Sequence, residues 1–63
     1  MTNKDKAIAY DNYIRESDFL QRENSHLKSV YAPNIPQEIL LKIKNNEKRI
    51  SIIVGKVEEL FRE

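Results

Sequence analysis

Cysteine and tryptophan are absent from this chain, glycine occurs once and proline occurs twice. Without cysteine the chain cannot form a disulfide, and a single histidine, His26, gives little basis for a structural metal site. A chain of 63 residues buries only about 60% of the surface that its unfolded state exposes, and domains this small usually need a disulfide, a metal or self-association to fold. Self-association is the device that remains, so we expect an oligomer.

Long hydrophobic runs and an excess of charge of one sign are also lacking. Eleven basic and ten acidic side chains give a net charge of +1, which provides no overall field to attract nucleic acid or an anionic membrane. The apolar run at residues 7–10 is too short for a signal peptide, and no stretch approaches the roughly 20 apolar residues of a membrane span. We therefore expect a cytoplasmic protein with no membrane partner. The abundance of Lys, Asn and Ile is typical of AT-rich genes and favours a bacterial, plasmid or phage origin.

The two prolines, Pro33 and Pro36, stand three residues apart and forbid one continuous helix through the middle of the chain. The segments on either side contain no proline. They predict a helix over about residues 3–30, a turn over residues 31–35 and a second helix over about residues 35–62.

Both predicted helices begin with a residue that can cap exposed amides. Thr2 is the predicted cap of the first helix, and Asn34 is the predicted cap of the second. Helices of equal length joined by a short connector favour antiparallel packing. The predicted fold class is therefore all-α, with residues 1–63 forming a single two-helix antiparallel hairpin that dimerises into a four-helix bundle or docks on a partner.

Apolar side chains recur along the second helix at alternating spacings of four and three, the pattern of a packed helical seam. Leu40, Val54 and Phe61 widen that seam beyond the stripe of a two-stranded coiled coil. The seam of the first helix is half polar, so it cannot cover this wide stripe from both sides. We therefore predict a homodimer, or a complex with another protein, through an association surface comprising Leu40, Ile50, Ile53, Val54, Val57 and Phe61.

An asparagine interrupts the seam of each helix, Asn24 in the first and Asn46 in the second. Antiparallel alignment about the predicted turn places Asn24 opposite residues 43–46, so the two side chains are predicted to share one polar layer. Buried asparagines fix register or oligomeric state at a cost in stability. Residues 20–27 resemble a leucine zipper, but residues 3–19 mix acidic and basic side chains and lack the basic run of a zipper-type DNA-binding protein.

Glu23 and His26 match the Glu-x-x-His spacing that brings a carboxylate and an imidazole to one metal in di-iron bundles. By helical angle, however, His26 lies about 120° from the column formed by Tyr13, Leu20 and Leu27. It is therefore predicted to face the flank or solvent. We expect no metal, no cofactor and no enzymatic activity, because no catalytic motif or glycine-rich loop is present.

The second helix also carries a basic flank. In a bundle such a flank pairs with acidic residues on a neighbouring helix, and Glu16 and Glu23 form a matching set. The alternative is that the flank follows a nucleic-acid backbone while tyrosines stack on bases. The residues available for that contact are Lys42, Lys44, Lys48, Arg49 and Lys56.

In size and predicted architecture the chain resembles Rop proteins, plasmid copy-control regulators that form a four-helix bundle from two helical hairpins and bind RNA. The resemblance covers the outline and no motif, so it assigns no residue a role. The sequence predicts a small oligomerisation or protein-interaction module, a regulator or assembly component of phage or plasmid type. The alternative that the resemblance implies is a dimeric helical bundle that binds RNA or DNA.

Overall fold

A computed structural model describes residues 2–62, and all regular secondary structure within this range is helical. Helix α1 spans Asn3–Tyr31 and helix α2 spans Gln37–Leu60. Contacts of Tyr10 with Phe61 and of Asn24 with Asn46 show that the helices run antiparallel. The prediction of an all-helical hairpin is confirmed. The hairpin is a slender rod of 47 × 15 × 12 Å.

Helix α1 begins with a side-chain cap, as predicted. Thr2 adopts an extended backbone conformation, and its hydroxyl accepts a hydrogen bond of 3.1 Å from the amide of Asp5. At the other end the amide of Ala32 donates to the carbonyl of Lys28 at 3.0 Å. Pro33 then stops the helix, because the residue before a proline is disfavoured in the helical conformation.

The predicted start of the second helix at residue 35, with Asn34 as its cap, is wrong. The N-cap is Pro36, which offers no side-chain hydrogen bond, and its carbonyl accepts from the amides of Ile39 and Leu40, each at 3.0 Å. Ile35 precedes Pro36 and is therefore disfavoured in the helical conformation, so the chain enters the helix only after the proline. At its other end α2 stops at Leu60, two residues short of the predicted end.

The interior of the hairpin is small. Only two apolar side chains of the described range are buried, Ile43 at 4% and Ile53 at 1% exposure, together with the polar Asn24 at 6%. Other seam positions, such as Leu20, Leu27 and Ile50, are half-buried. Two helices alone therefore leave most of the apolar seam in partial contact with water.

Neither helix within residues 2–62 combines the length and apolar character needed to cross a membrane.

Candidate interaction surface

The contact between α1 and α2 has two long edges, one on each side of the hairpin. We call the first the charged edge, because the ion pairs Glu16–Arg49 and Glu23–Lys42 lie along it. Around the axis of α2, Arg49 and Lys42 lie about 20° apart and about 120–140° from Val54. Acidic side chains of α1 thus meet basic side chains of α2 along the charged edge, which confirms the predicted pairing for these four residues.

Arg49 makes the best-defined contact of the charged edge. Its Nε donates to Glu16 Oε2 at 2.7 Å, and its Nη2 donates to Oε1 at 3.1 Å. The planar guanidinium matches the two carboxylate oxygens in this bidentate geometry. The hydrogen bond from Arg49 lowers the pKa of the Glu16 carboxyl, and Glu16 in turn raises the pKa of Arg49. Because both side chains are substantially exposed to solvent, the pair aligns the helices more than it stabilises them.

Glu23 connects the charged edge to the interior. Lys42 Nζ lies 3.8 Å from its Oε2, and Asn46 Nδ2 donates to its Oε1 at 2.7 Å. One carboxylate thus holds a surface cation and a half-buried amide of α2 at the same time. The contact ties α1 and α2 together at the level of the two asparagines.

Asn24 and Asn46 share one polar layer, as the sequence predicts. Asn46 Nδ2 donates to Asn24 Oδ1 at 2.8 Å, and Asn24 Nδ2 donates to the backbone carbonyl of Ile43 at 3.2 Å. No buried side-chain nitrogen or oxygen within the described residues lacks a hydrogen-bond partner. A shift of one helix along the other would break these bonds inside the hairpin and leave polar groups unpaired, which is costly. Control of register by this layer stays a prediction.

The opposite edge of the hairpin is apolar, and we call it the apolar face. The two members on α2 and the residue that caps its end lie within an arc of about 60°, and the two members on α1 lie about 40° apart. The rings of Tyr10 and Phe61 meet edge to face at 5.7 Å and 72°, which places both arcs on the same side of the hairpin. Each member is between 41% and 61% exposed. The members are Tyr10, Ile14, Leu40, Val54 and Phe61.

Further large apolar side chains are exposed but do not extend the apolar face. Around their own helix axes they lie at least about 120° from Ile14 or Val54, toward the charged edge or the outer surface. They are Ile8, Phe19, Val30, Leu41 and Ile52. Tyr31, at the last position of α1, is also exposed and lies about 100° from Ile14.

The two ends of the apolar face differ. At the open end, where the chain termini lie, a groove of about 490 Å³ is lined by residues that include Ala7, Tyr10 and Phe61. Closer to the turn, Lys28 Nζ lies 3.9 Å from Glu47 Oε1, and each side chain is 57% exposed. The turn-side half of the apolar face therefore carries one ion pair. Polar side chains also border its open end, where Asn3 and Lys6 line the groove and Glu58 lies on the same arc of α2 as Leu40 and Val54.

The six residues predicted to form the association surface differ in their exposure to solvent. Leu40, Val54 and Phe61 lie on the apolar face and are exposed. Ile50 and Val57 are half-buried between the helices. Ile53 is 1% exposed, so its place in a free association surface is wrong. Its side chain points into the contact with α1, which already covers it.

Tyr10 and Ile14 complete the apolar face from α1, and sequence reasoning missed them as association residues. The signal was their spacing of four, which places two large apolar side chains on one flank of α1.

The five basic residues considered for nucleic-acid contact fall into two groups. Arg49 and Lys42 are engaged by Glu16 and Glu23. The other three form no ion pair with an acidic side chain between residues 2 and 62. They are Lys44, Lys48 and Lys56.

The Glu-x-x-His motif does not form a metal-binding constellation in the part of the chain that the structure describes. His26 is exposed, and the Glu23 carboxylate is occupied by Asn46 and Lys42. Between residues 2 and 62 there is no cluster of three or more His, Cys, Asp or Glu side chains that could hold a metal ion.

Comparison of the chain with models of protein families, with curated proteins and with solved structures finds no match.

Proposed function

We propose that this protein is a small non-enzymatic association module, a helical hairpin that completes its hydrophobic core by binding another polypeptide through the apolar face. We assign it to the cytoplasm, as a regulator or assembly component of bacterial or phage type. The observation that carries the proposal is the imbalance between two buried apolar side chains and five exposed ones gathered on one edge.

Energetic reasoning supports this proposal. Ordering each residue of a chain costs about 1–2 kcal/mol of backbone entropy, whereas full burial of one large apolar side chain contributes only about 1.5–3 kcal/mol. The full burial of Ile43 and Ile53 alone is a small core for a chain of this length. Covering the apolar face would enlarge the core without changing the hairpin.

The geometry of the apolar face also fits association. Contiguous exposed apolar patches bounded by polar residues mark interaction sites in proteins. Aromatic anchors are enriched at such sites, and Tyr10 and Phe61 occupy the open end of this one. The charged edge already pairs acid with base, so it offers less to an incoming partner.

Thermal unfolding followed by circular dichroism over a wide range of protein concentrations tests the proposal. If association is part of folding, the midpoint rises with the concentration of the chain or of an added partner. A fully helical monomer that melts cooperatively at one concentration-independent temperature would refute the proposal, because its core would then be complete without a partner.

A further inference from the structure

The geometry points to a second copy of this chain as the occupant of the apolar face, with both hairpins pointing in the same direction about a two-fold axis parallel to the helices. This inference rests on the proposed function and specifies its partner.

The area fits a weak but specific dimer. At the exposures observed for these five side chains, the face presents roughly 500 Å² per copy, so two copies together bury roughly 1,000 Å², the lower bound for a specific interface. Two-fold symmetry also requires a patch that is complementary to itself. The apolar face meets that requirement, since its five large apolar side chains can contact the same side chains of a second copy and its ion pair of Lys28 and Glu47 supplies both signs of charge.

The distribution of apolar residues along the face selects the direction. Tyr10, Ile14, Val54 and Phe61 lie in the half near the open end, whereas Leu40 lies near the turn. Hairpins that point the same way place the two open-end clusters against each other. Hairpins that point in opposite directions place each Lys28–Glu47 pair over the aromatic rings of the other copy.

The charges select the same direction. In the parallel arrangement α1 of one copy lies beside α2 of the other at the same level, so Lys28 approaches Glu47 of the partner subunit as well as its own Glu47. Four charges of alternating sign then surround the axis. In the opposite arrangement each ion pair is desolvated against apolar rings without new partners. The free-energy cost of removing the charges from water then exceeds the gain from their mutual attraction.

The backbone dipoles are satisfied in either direction, because every neighbouring pair of helices is antiparallel whether the two hairpins are parallel or opposed. In the parallel arrangement each α1 neighbours two α2 helices, its own and that of the second copy. The charged edges lie on the outside of the bundle. Each keeps its own ion pairs, so the dimer requires no rearrangement of the hairpin.

Spin labels on engineered cysteines test the direction, because the chain contains no native cysteine and each variant carries a single label. Asn34→Cys labels the exposed turn, outside both helices and off the apolar face. Parallel hairpins bring the two labels within roughly 20 Å, given interaxial distances of 8–10 Å. Opposed hairpins separate them by nearly the 47 Å length of the rod.

Ile52→Cys is the matched control, since it lies near mid-length, exposed and away from the apolar face. Its labels lie within roughly 30 Å of each other in either arrangement. A short Ile52 distance with a short Asn34 distance supports the inference. A short Ile52 distance with a long Asn34 distance overturns the direction while leaving association intact.

Sedimentation of the unlabelled chain separates the remaining outcomes. A dimer is expected. A monomer that is largely unfolded would overturn the second copy as occupant but leave the proposed function standing, since another partner would then be required. A monomer that is fully folded at every concentration would overturn both.

Discussion

The two edges of the hairpin differ in how far their side chains find partners within the same chain. On the charged edge, Glu16 and Glu23 of α1 meet Arg49 and Lys42 of α2, so the chain supplies both partners of each contact. On the apolar face the side chains remain between 41% and 61% exposed, and only Tyr10 and Phe61 find each other. One edge is therefore complete within the monomer, and the other is the edge that we propose is completed by association.

The largest expected effect comes from placing a charge on the apolar face. Val54→Asp removes about 1.5–3 kcal/mol of apolar burial per subunit, counted twice in a symmetric dimer, which exceeds the few kcal/mol expected of so small a bundle. The variant should dissociate and lose most of its helix, as measured by analytical ultracentrifugation with circular dichroism.

Ile52→Asp is the control for that variant. Ile52 is 50% exposed and Val54 is 51% exposed, yet Ile52 lies away from the apolar face. Its substitution should leave the oligomer and the helix content close to those of the parent. A folded Val54→Asp oligomer of native size would show that association uses another surface.

An intermediate effect is expected at the polar layer inside the hairpin. Asn24→Ala should destabilise the protein by about 1–3 kcal/mol, because it removes the hydrogen bonds that the buried Asn24 makes and leaves the half-buried amide of Asn46 with Glu23 as its remaining side-chain partner. Replacing both Asn24 and Asn46 by leucine should instead raise the free energy of unfolding while loosening register or oligomeric state. Urea unfolding measures the first effect. A double variant with unchanged stoichiometry and one well-ordered set of NMR signals would remove the register role.

A smaller effect is expected on the charged edge, and it depends on pH. Because the folded-state pKa of Glu16 is lowered by Arg49, the pair contributes stability above the pKa that Glu16 has in the unfolded chain. That contribution is lost as pH falls through the lowered folded-state pKa. In thermal melts from neutral to acid pH, the difference between the parent and Glu16→Gln should therefore shrink as pH falls. A difference that stays constant would show that the ion pair adds nothing.

The smallest effect is expected at Lys48, which is exposed and pairs with no acidic side chain in the described part of the chain. Lys48→Ala should change the free energy of unfolding by less than about 0.5 kcal/mol. Gel-shift assays at low salt should show no nucleic-acid complex for either protein. Binding that weakens as salt rises, with a slope reduced by Lys48→Ala, would favour the nucleic-acid alternative instead.

Sequence alone predicts the parts of this fold that depend on local conformational preferences and on the number of residues between the turn and each contact. The prolines locate the turn, and Thr2 caps α1. Asn24 and Asn46 lie at similar distances in sequence from the turn, so an antiparallel hairpin places them side by side. Asparagine is a favoured N-cap residue, but Asn34 does not cap α2. Pro36 disfavours the helical conformation at Ile35, so the helix begins only after the proline.

Sequence predicts the division between the two edges less well. Ile53 and Val54 are neighbours in one apolar run, yet one is 1% exposed and the other 51%. Which of them faces α1 depends on how the helices are rotated about their axes, and a half-polar first helix does not fix that rotation. For the same reason Tyr10 and Ile14 could not be assigned to the apolar face before the contact between Tyr10 and Phe61 was known.

The contact between the rings of Tyr10 and Phe61 closes a loop that spans most of the chain. The layer of Asn24 and Asn46 lies closer to the turn and closes a much shorter loop. Loop entropy therefore favours zippering from the turn outward, with the open end closing last and fraying first. Four of the five residues of the apolar face lie in that fraying half. Amide hydrogen exchange should thus show protection that declines toward the termini in dilute protein and becomes more even once a partner covers the apolar face.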